Sequence, residues 1–192
     1  METSASLLSR LRAGTDEQAW QHLDLLYRPL IARWLRSDPG LGDEAEDLVQ
    51  DVMAVLVREL PRFQRRRTGS FRRWLRTITV RRLAVHWRTC KDRPRPLGGS
   101  PEESPLAQLT DPNSELSRRW DAEHDKHVLR RLMDLIAPQF APATLAAFRR
   151  AAFDGVTPAQ VAEEMGLSLN AVLLAKSRVL GRLRQEAEGL ID

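Results

Sequence analysis

Apolar residues recur at helical spacing along most of the chain, and alternating strand patterns are nearly absent. Thr15 and Gln18 form a capping-box pattern ahead of apolar Trp20, Leu23, Leu26, Tyr27, Leu30, Ile31 and Trp34. This predicts a helix that Asp38-Pro39-Gly40 stops. Asp43 with Glu46 repeats the capping pattern and opens a helix to Leu60, where Pro61 blocks continuation. Its stripe is Leu48, Val49, Val52, Met53, Leu56 and Leu60. Thr68-Gly69-Ser70 reads as a turn. Ser70 can cap a third helix that turns Phe71, Trp74, Leu75, Ile78, Leu83 and Val85 inward and ends near Cys90.

The pattern breaks between Arg93 and Ser114, which holds Pro94, Pro96, Pro101, Pro105 and Pro112 with Gly98-Gly99. Such a stretch reads as a mobile linker. It divides the chain into residues 1–92, a linker over 93–114, and residues 115–192. The second half predicts a helix from about Glu115 to Ala137, then one starting at Pro142 with Leu145, Phe148, Ala152 and Phe153, ended by Asp154-Gly155. Thr157 with Gln160 caps a short helix to Met165, Gly166 makes the turn, and Ser168 caps a last helix to about Glu188. The expected fold is all-α, with two small helical domains joined by a flexible linker.

Composition adds charge to this picture. The net charge is +4, with 30 basic residues, of which only Lys91, Lys126 and Lys176 are lysines. An anionic partner fits such a balance. The charge is segregated: Leu41 to Leu60 holds acids with Arg58 as the one base, and Pro61 to Arg95 holds bases with Asp92 as the one acid. Cys90 is the single cysteine, which excludes an intrachain disulfide and a cysteine zinc site. His22, His86, His124 and His127 follow no metal-ligand spacing; His124 and His127, one turn apart, are expected on the surface. Catalytic and nucleotide-binding motifs are missing, so no cofactor and no enzymatic activity are expected. No apolar run approaches a membrane span and the N-terminus does not resemble a signal peptide, so the expected location is the cytoplasm.

Three segments carry the candidate chemistry. The helix from Glu44 puts Asp47, Gln50 and Asp51 opposite its apolar stripe; this is either a docking face or a solvated one. The stretch Arg65, Arg66, Arg67, Phe71, Arg72, Arg73, Trp74 interleaves cations with aromatics. Such a pattern suits single-stranded nucleic acid, with arginines on phosphates and rings on bases, although Phe71 and Trp74 also fit the core stripe. Thr157 to Val172 has helix-turn-helix form, or is a plain helical hairpin. In that form Val172, Val179 and Leu183 face inward. The opposite face presents Asn170, Leu174 and Ser177, with Arg178, Arg182 and Arg184 positioned for phosphates. Leu173 and Leu174 are equally suited to pack on the linker or on a protein partner.

These segments, in this order, resemble the extracytoplasmic-function group of the bacterial sigma-70 family. Asp43 to Val52 is similar to that family's polymerase-binding helix, Gly69 to Ile78 to its promoter-melting helix, and the C-terminal helix-turn-helix to its reader of the minus-thirty-five element. The sequence departs from the family pattern at Arg81 and Val85, which bear on minus-ten recognition. It departs again at Ala171-Val172-Leu173-Leu174-Ala175 in the recognition helix. The resemblance implies a sigma factor whose partners are core RNA polymerase and promoter DNA, with an anti-sigma factor as a further candidate. A flipped base would sit against the loop before Ser70. The alternative is a helix-turn-helix regulator that does not engage polymerase, which leaves the acidic helix and the aromatic-basic helix without a purpose.

Overall fold

The computed structural model describes residues 6–38, 40–64, 70–89 and 105–191. Among these the regular elements are helices: α1 (Leu7–Ala13), α2 (Glu17–Arg36), α3 (Ala45–Glu59), α4 (Ser70–Thr89), α5 (Glu115–Ile136), α6 (Pro142–Ala152), α7 (Pro158–Met165) and α8 (Leu169–Ala187). Short 3-10 turns lie at Gly42–Glu44, Leu60–Arg62, Pro105–Thr110 and Ala137–Gln139. The all-α expectation holds.

The helix starts differ from the sequence reading at two places. Asp16, not Thr15, caps α2, accepting the Ala19 N–H at 3.0 Å. Ahead of α3 a 3-10 turn replaces the expected Asp43–Glu46 capping box. Glu46 is engaged elsewhere: it meets Arg36 at 2.8 Å and Arg28 at 4.0 Å, both from α2. An ion pair between helices has displaced a local cap. Helix α1 was not expected. Ser6 caps it, Gly14 ends it in the left-handed region, and Leu7, Leu8 and Leu11 are buried.

Between α2 and α3 the chain turns on Gly40, whose N–H donates to Asp38 Oδ1 at 3.0 Å. A Cβ there would stand 3.0 Å from the Trp87 ring of α4, so the missing side chain lets α4 close on the turn. Helices α2, α3 and α4 then pack through Leu23, Leu30, Val49, Val52, Leu56, Leu75 and Leu83, all buried.

The second half joins this core. Trp120 of α5 is fully buried against Trp34 of α2, with ring centroids 4.9 Å apart. Val128, Leu132, Phe148 and Val179 continue the same apolar cluster into α5, α6 and α8. A smaller cluster of Ala147, Val161, Ala162, Val172 and Ala175 holds α6, α7 and the start of α8 together. The expected linker lies outside the described residues over 93–104. Its remaining part is packed rather than free: the turn Pro105–Thr110 buries Leu109, and Ser117 Oγ donates to Asp111 O at 2.6 Å. The halves therefore share one core.

His124 and His127 are not on the surface as expected. His124 is fully buried and stacks on Tyr27 of α2, with centroids 5.8 Å apart. His127 Nε2 donates to the Leu26 carbonyl at 2.7 Å. Burial pulls His127 below its ordinary value of 6.5, with Arg33 and Arg131 adding to the effect and the Leu26 bond opposing it. His22 is lowered too, again first by burial. The unfolded chain thus binds protons at a higher pH than the folded one. Stability from these groups is fully present above about pH 6.5 and is lost as pH falls towards the lowered values. Urea unfolding between pH 7 and pH 5 should show a falling midpoint, and His127→Gln should flatten part of that slope. An identical slope in the variant would remove His127 from the account.

Candidate functional site

The α3 face is built as its spacing requires. Asp47, Gln50, Asp51 and Arg58 are exposed, while Leu48, Val49, Val52 and Leu56 are buried. Asp51 also meets Arg82 of α4 at 3.0 Å. Both side chains are partly exposed, so solvent screens the pair and leaves Asp51 accessible. One turn further along α4, His86 meets Glu44 at 2.9 Å. The acidic α3 and the basic α4 are thereby held side by side, which explains why the sequence segregates its charge.

On α4 the aromatic and basic residues separate into distinct roles. Phe71 is 1% exposed and packs against Tyr27, Phe63 and Trp74, at centroid distances of 5.4, 5.4 and 5.5 Å. Its ring belongs to the core and cannot meet a base in this conformation, contrary to the single-strand expectation. Trp74 is half-buried, with Phe63 behind it at 4.8 Å, and so retains a surface that solvent reaches. Arg73 is part-exposed and, among the described residues, has no ion-pair partner. Arg65, Arg66 and Arg67 lie outside the described residues.

Arg72 and Arg76 are not free. Arg72 meets Asp125 of α5 at 2.9 Å and Asp121 at 3.5 Å. Arg76 is buried, donating to Asp121 at 3.2 Å and to the Ser117 carbonyl at 3.4 Å. Burial lowers the Arg76 pKa and Asp121 opposes the shift. Sequence reasoning missed these α5 acids. A signal existed: Arg72 and Arg76 are four residues apart, as are Asp121 and Asp125, so two helices can match them pair by pair.

The second candidate surface is local and well formed. Thr157 and Gln160 make the reciprocal capping box. Gly166, at φ 63°, ends α7, and the Leu167 N–H bonds the Ala162 carbonyl at 2.9 Å. A left-handed residue here favours glycine, which fixes the turn. Ser168 then caps α8. Val172, Val179 and Leu183 are buried as expected. Asn170, Ser177, Arg178 and Arg184 are exposed with Leu173 and Leu174, which are 47% and 46% exposed. Arg182 instead turns inward to Glu186 and Gln185.

Residues 23–93, spanning most of α2 through α4, match the family model for sigma-70 region 2. The segment from α2 to α4 is thus similar to region 2 of sigma-70 factors. No curated protein matches the chain. Sigma factors are transcription initiation factors rather than enzymes, and region 2 serves in polymerase binding and promoter melting. Within the matched segment, α3 and α4 are the paired acidic and basic helices. Among the described residues no group of acids, histidines and cysteines could hold a metal, and no helix is long and apolar enough to cross a membrane.

The two aromatics of α4 should respond differently to truncation. Phe71→Ala should cost about 3–5 kcal/mol of stability, as for a fully buried ring. Trp74→Ala should cost clearly less, because its ring is only half-buried. Chemical denaturation of both variants checks this; equal losses would place Trp74 in the core with Phe71.

Proposed function

We propose that the chain is a sigma factor of the extracytoplasmic-function type, which docks on core RNA polymerase through α3 and opens the minus-ten region with α4. The duplex near minus thirty-five would be read by α7 and α8. The observation that carries this reading is the exposure of Asp47, Gln50 and Asp51 on α3 beside the part-exposed Arg73 and Trp74 of α4, all inside the region 2 match. An acidic face suits a basic docking surface. A cation beside an accessible ring suits an unstacked base. Arg65, Arg66, Arg67 and Arg72 add phosphate contacts, and Phe71 supports Trp74 from beneath. A regulator that ignores polymerase would have no use for the α3 face.

Transcription in vitro with purified core polymerase and a promoter library tests the reading directly. The wild-type chain should direct promoter-specific initiation. Asp47→Lys with Asp51→Lys should weaken co-purification with core polymerase about tenfold or more while leaving helicity intact. Undiminished co-purification would show that polymerase docks elsewhere.

On α8, Asn170 offers an amide to an adenine edge, and Leu174 an apolar contact to a thymine methyl. Arg178 and Arg184 contact phosphates; Arg182, turned inward, holds Glu186 unless DNA draws it out. Asn170→Ala and Leu174→Ala should each shift base preference on promoter variants, and Arg178→Ala should weaken all sequences alike. If neither of the first two changes preference, this face does not read bases.

A further inference from the structure

Away from the two surfaces described above, α5 and α8 leave a groove between them of about 530 Å³. That size falls within the range of about 300–1,000 Å³ usual for small-molecule sites. Leu183, 4% exposed, belongs both to the apolar core and to the lining. Leu129 of α5 and Leu180 and Ala187 of α8 continue the lining, and Leu129 stays 38% exposed, so the apolar surface reaches solvent. After α8 the chain turns on Gly189 at φ 82°, a left-handed value that favours glycine. The turn brings the Ile191 N–H back to the Ala187 carbonyl at 3.0 Å, and Ile191 completes the apolar lining.

The charged residues around this lining are unequally engaged. Asp125 is paired with Arg72 at 2.9 Å. Lys126 and Arg184 are exposed and make no ion pair among the described residues. Glu188 is exposed and unpaired in the same sense, so the free charge at the groove is two cations to one anion. That surplus favours an anionic head group. The lining holds no aromatic ring on which a planar ligand could stack, and its leucine, isoleucine and alanine side chains suit an aliphatic chain. Taking a methylene at the volume of a water molecule, ~30 Å³, a twelve-carbon chain fills roughly 360 Å³ and leaves space for a head group. The protein has little of its own to place there: outside the described residues, its leucine, isoleucine, methionine and aromatic side chains are Met1 and Leu97 alone. A second copy would bring a further net charge of +4 to a rim that is already cationic.

We propose that the groove between α5 and α8 binds an aliphatic carboxylate, with leucine side chains around the hydrocarbon and Lys126 and Arg184 at the carboxylate. Burial of the hydrocarbon supplies the affinity: each methylene that leaves water is worth up to about fourfold. The cations select the head group. A guanidinium presents two parallel N–H donors to the two carboxylate oxygens, and the ammonium of Lys126 adds a point charge. The site lies within residues 125–191, outside the matched segment 23–93, so it stands or falls separately from polymerase docking.

Isothermal titration of the full chain with sodium dodecanoate, kept below its micelle concentration, tests this. One saturable site per chain is expected. Octanoate, four methylenes shorter, should bind at least about tenfold weaker. Dodecyltrimethylammonium, with the same hydrocarbon and a cationic head, should also bind at least about tenfold weaker. Ala187→Phe, which fills the groove from α8, and Leu129→Asp, which puts a charge in the lining, should each weaken dodecanoate about tenfold or more. Lys126→Gln with Arg184→Gln should weaken dodecanoate by a similar factor and erase its advantage over the ammonium compound. If circular dichroism shows that Ala187→Phe or Leu129→Asp has lost helicity, the glutamine pair decides, because both of its positions are exposed. Equal affinity for the two head groups, or dodecanoate binding that the glutamine pair leaves unchanged, overturns the site. Absence of saturable binding overturns it too. Sedimentation of the chain alone and with phosphatidylglycerol vesicles then tells whether a second copy or a bilayer covers the groove instead.

Discussion

A guanidinium taken out of water needs a counter-charge, and the structure is arranged around meeting that need at Arg76. Asp121 and the Ser117 carbonyl supply it from α5. Once α5 is fixed there, Trp120 falls against Trp34 and His124 against Tyr27. The apolar cluster then extends through Phe148 and Val179 to the rest of the second half. Truncating a buried pair leaves an unpaired charge, whereas the intact pair adds little net stability over an apolar substitute. Arg76 thus contributes placement of α5 more than strength, and the tryptophan pair contributes the burial.

The same logic governs the first half. Asp51 of α3 pairs with Arg82 of α4, and Glu44 of the turn ahead of α3 meets His86. Neither helix neutralises the other fully. Asp47 and Gln50 on one side and Arg73 on the other keep their faces to solvent. A pair of helices that satisfied each other completely would have nothing left to offer a partner.

Much of this was legible in the sequence because the signals are local. The α7–turn–α8 unit follows from Thr157, Gln160, Gly166 and Ser168, each acting within a few residues of itself. The stripes of α2 and α3 follow from spacing alone. The expectations that the structure changed depend on distant residues. Glu46 left its expected cap for Arg36. His124 and His127 were polar residues with no local reason to be inside, until Tyr27 and the Leu26 carbonyl arrived from about a hundred residues away in the chain. The prolines before Ser114 suggested separation, yet Leu109 is buried. Composition describes a segment's own preference; it says nothing of a hydrophobic socket built by α4 and α5. Phe71 shows the limit within the candidate site, since one residue type serves equally well under a ring and on a base, and only burial distinguishes them.

The register between α4 and α5 also imposes an order in time. Arg72 is synthesised well before Asp125, and domains form from the N-terminal side during synthesis at about 5–20 residues per second. For several seconds the growing chain holds α2, α3 and α4 with no α5 to lie on them. During that interval Arg72 and Arg76 face solvent and any anions in it, including the nucleic acids around the ribosome. The finished chain covers them only when the loop between Arg76 and Ser117 has closed, a step whose entropic cost grows slowly with loop length. The newly made protein therefore carries these two guanidinium groups unpaired before it reaches its finished fold.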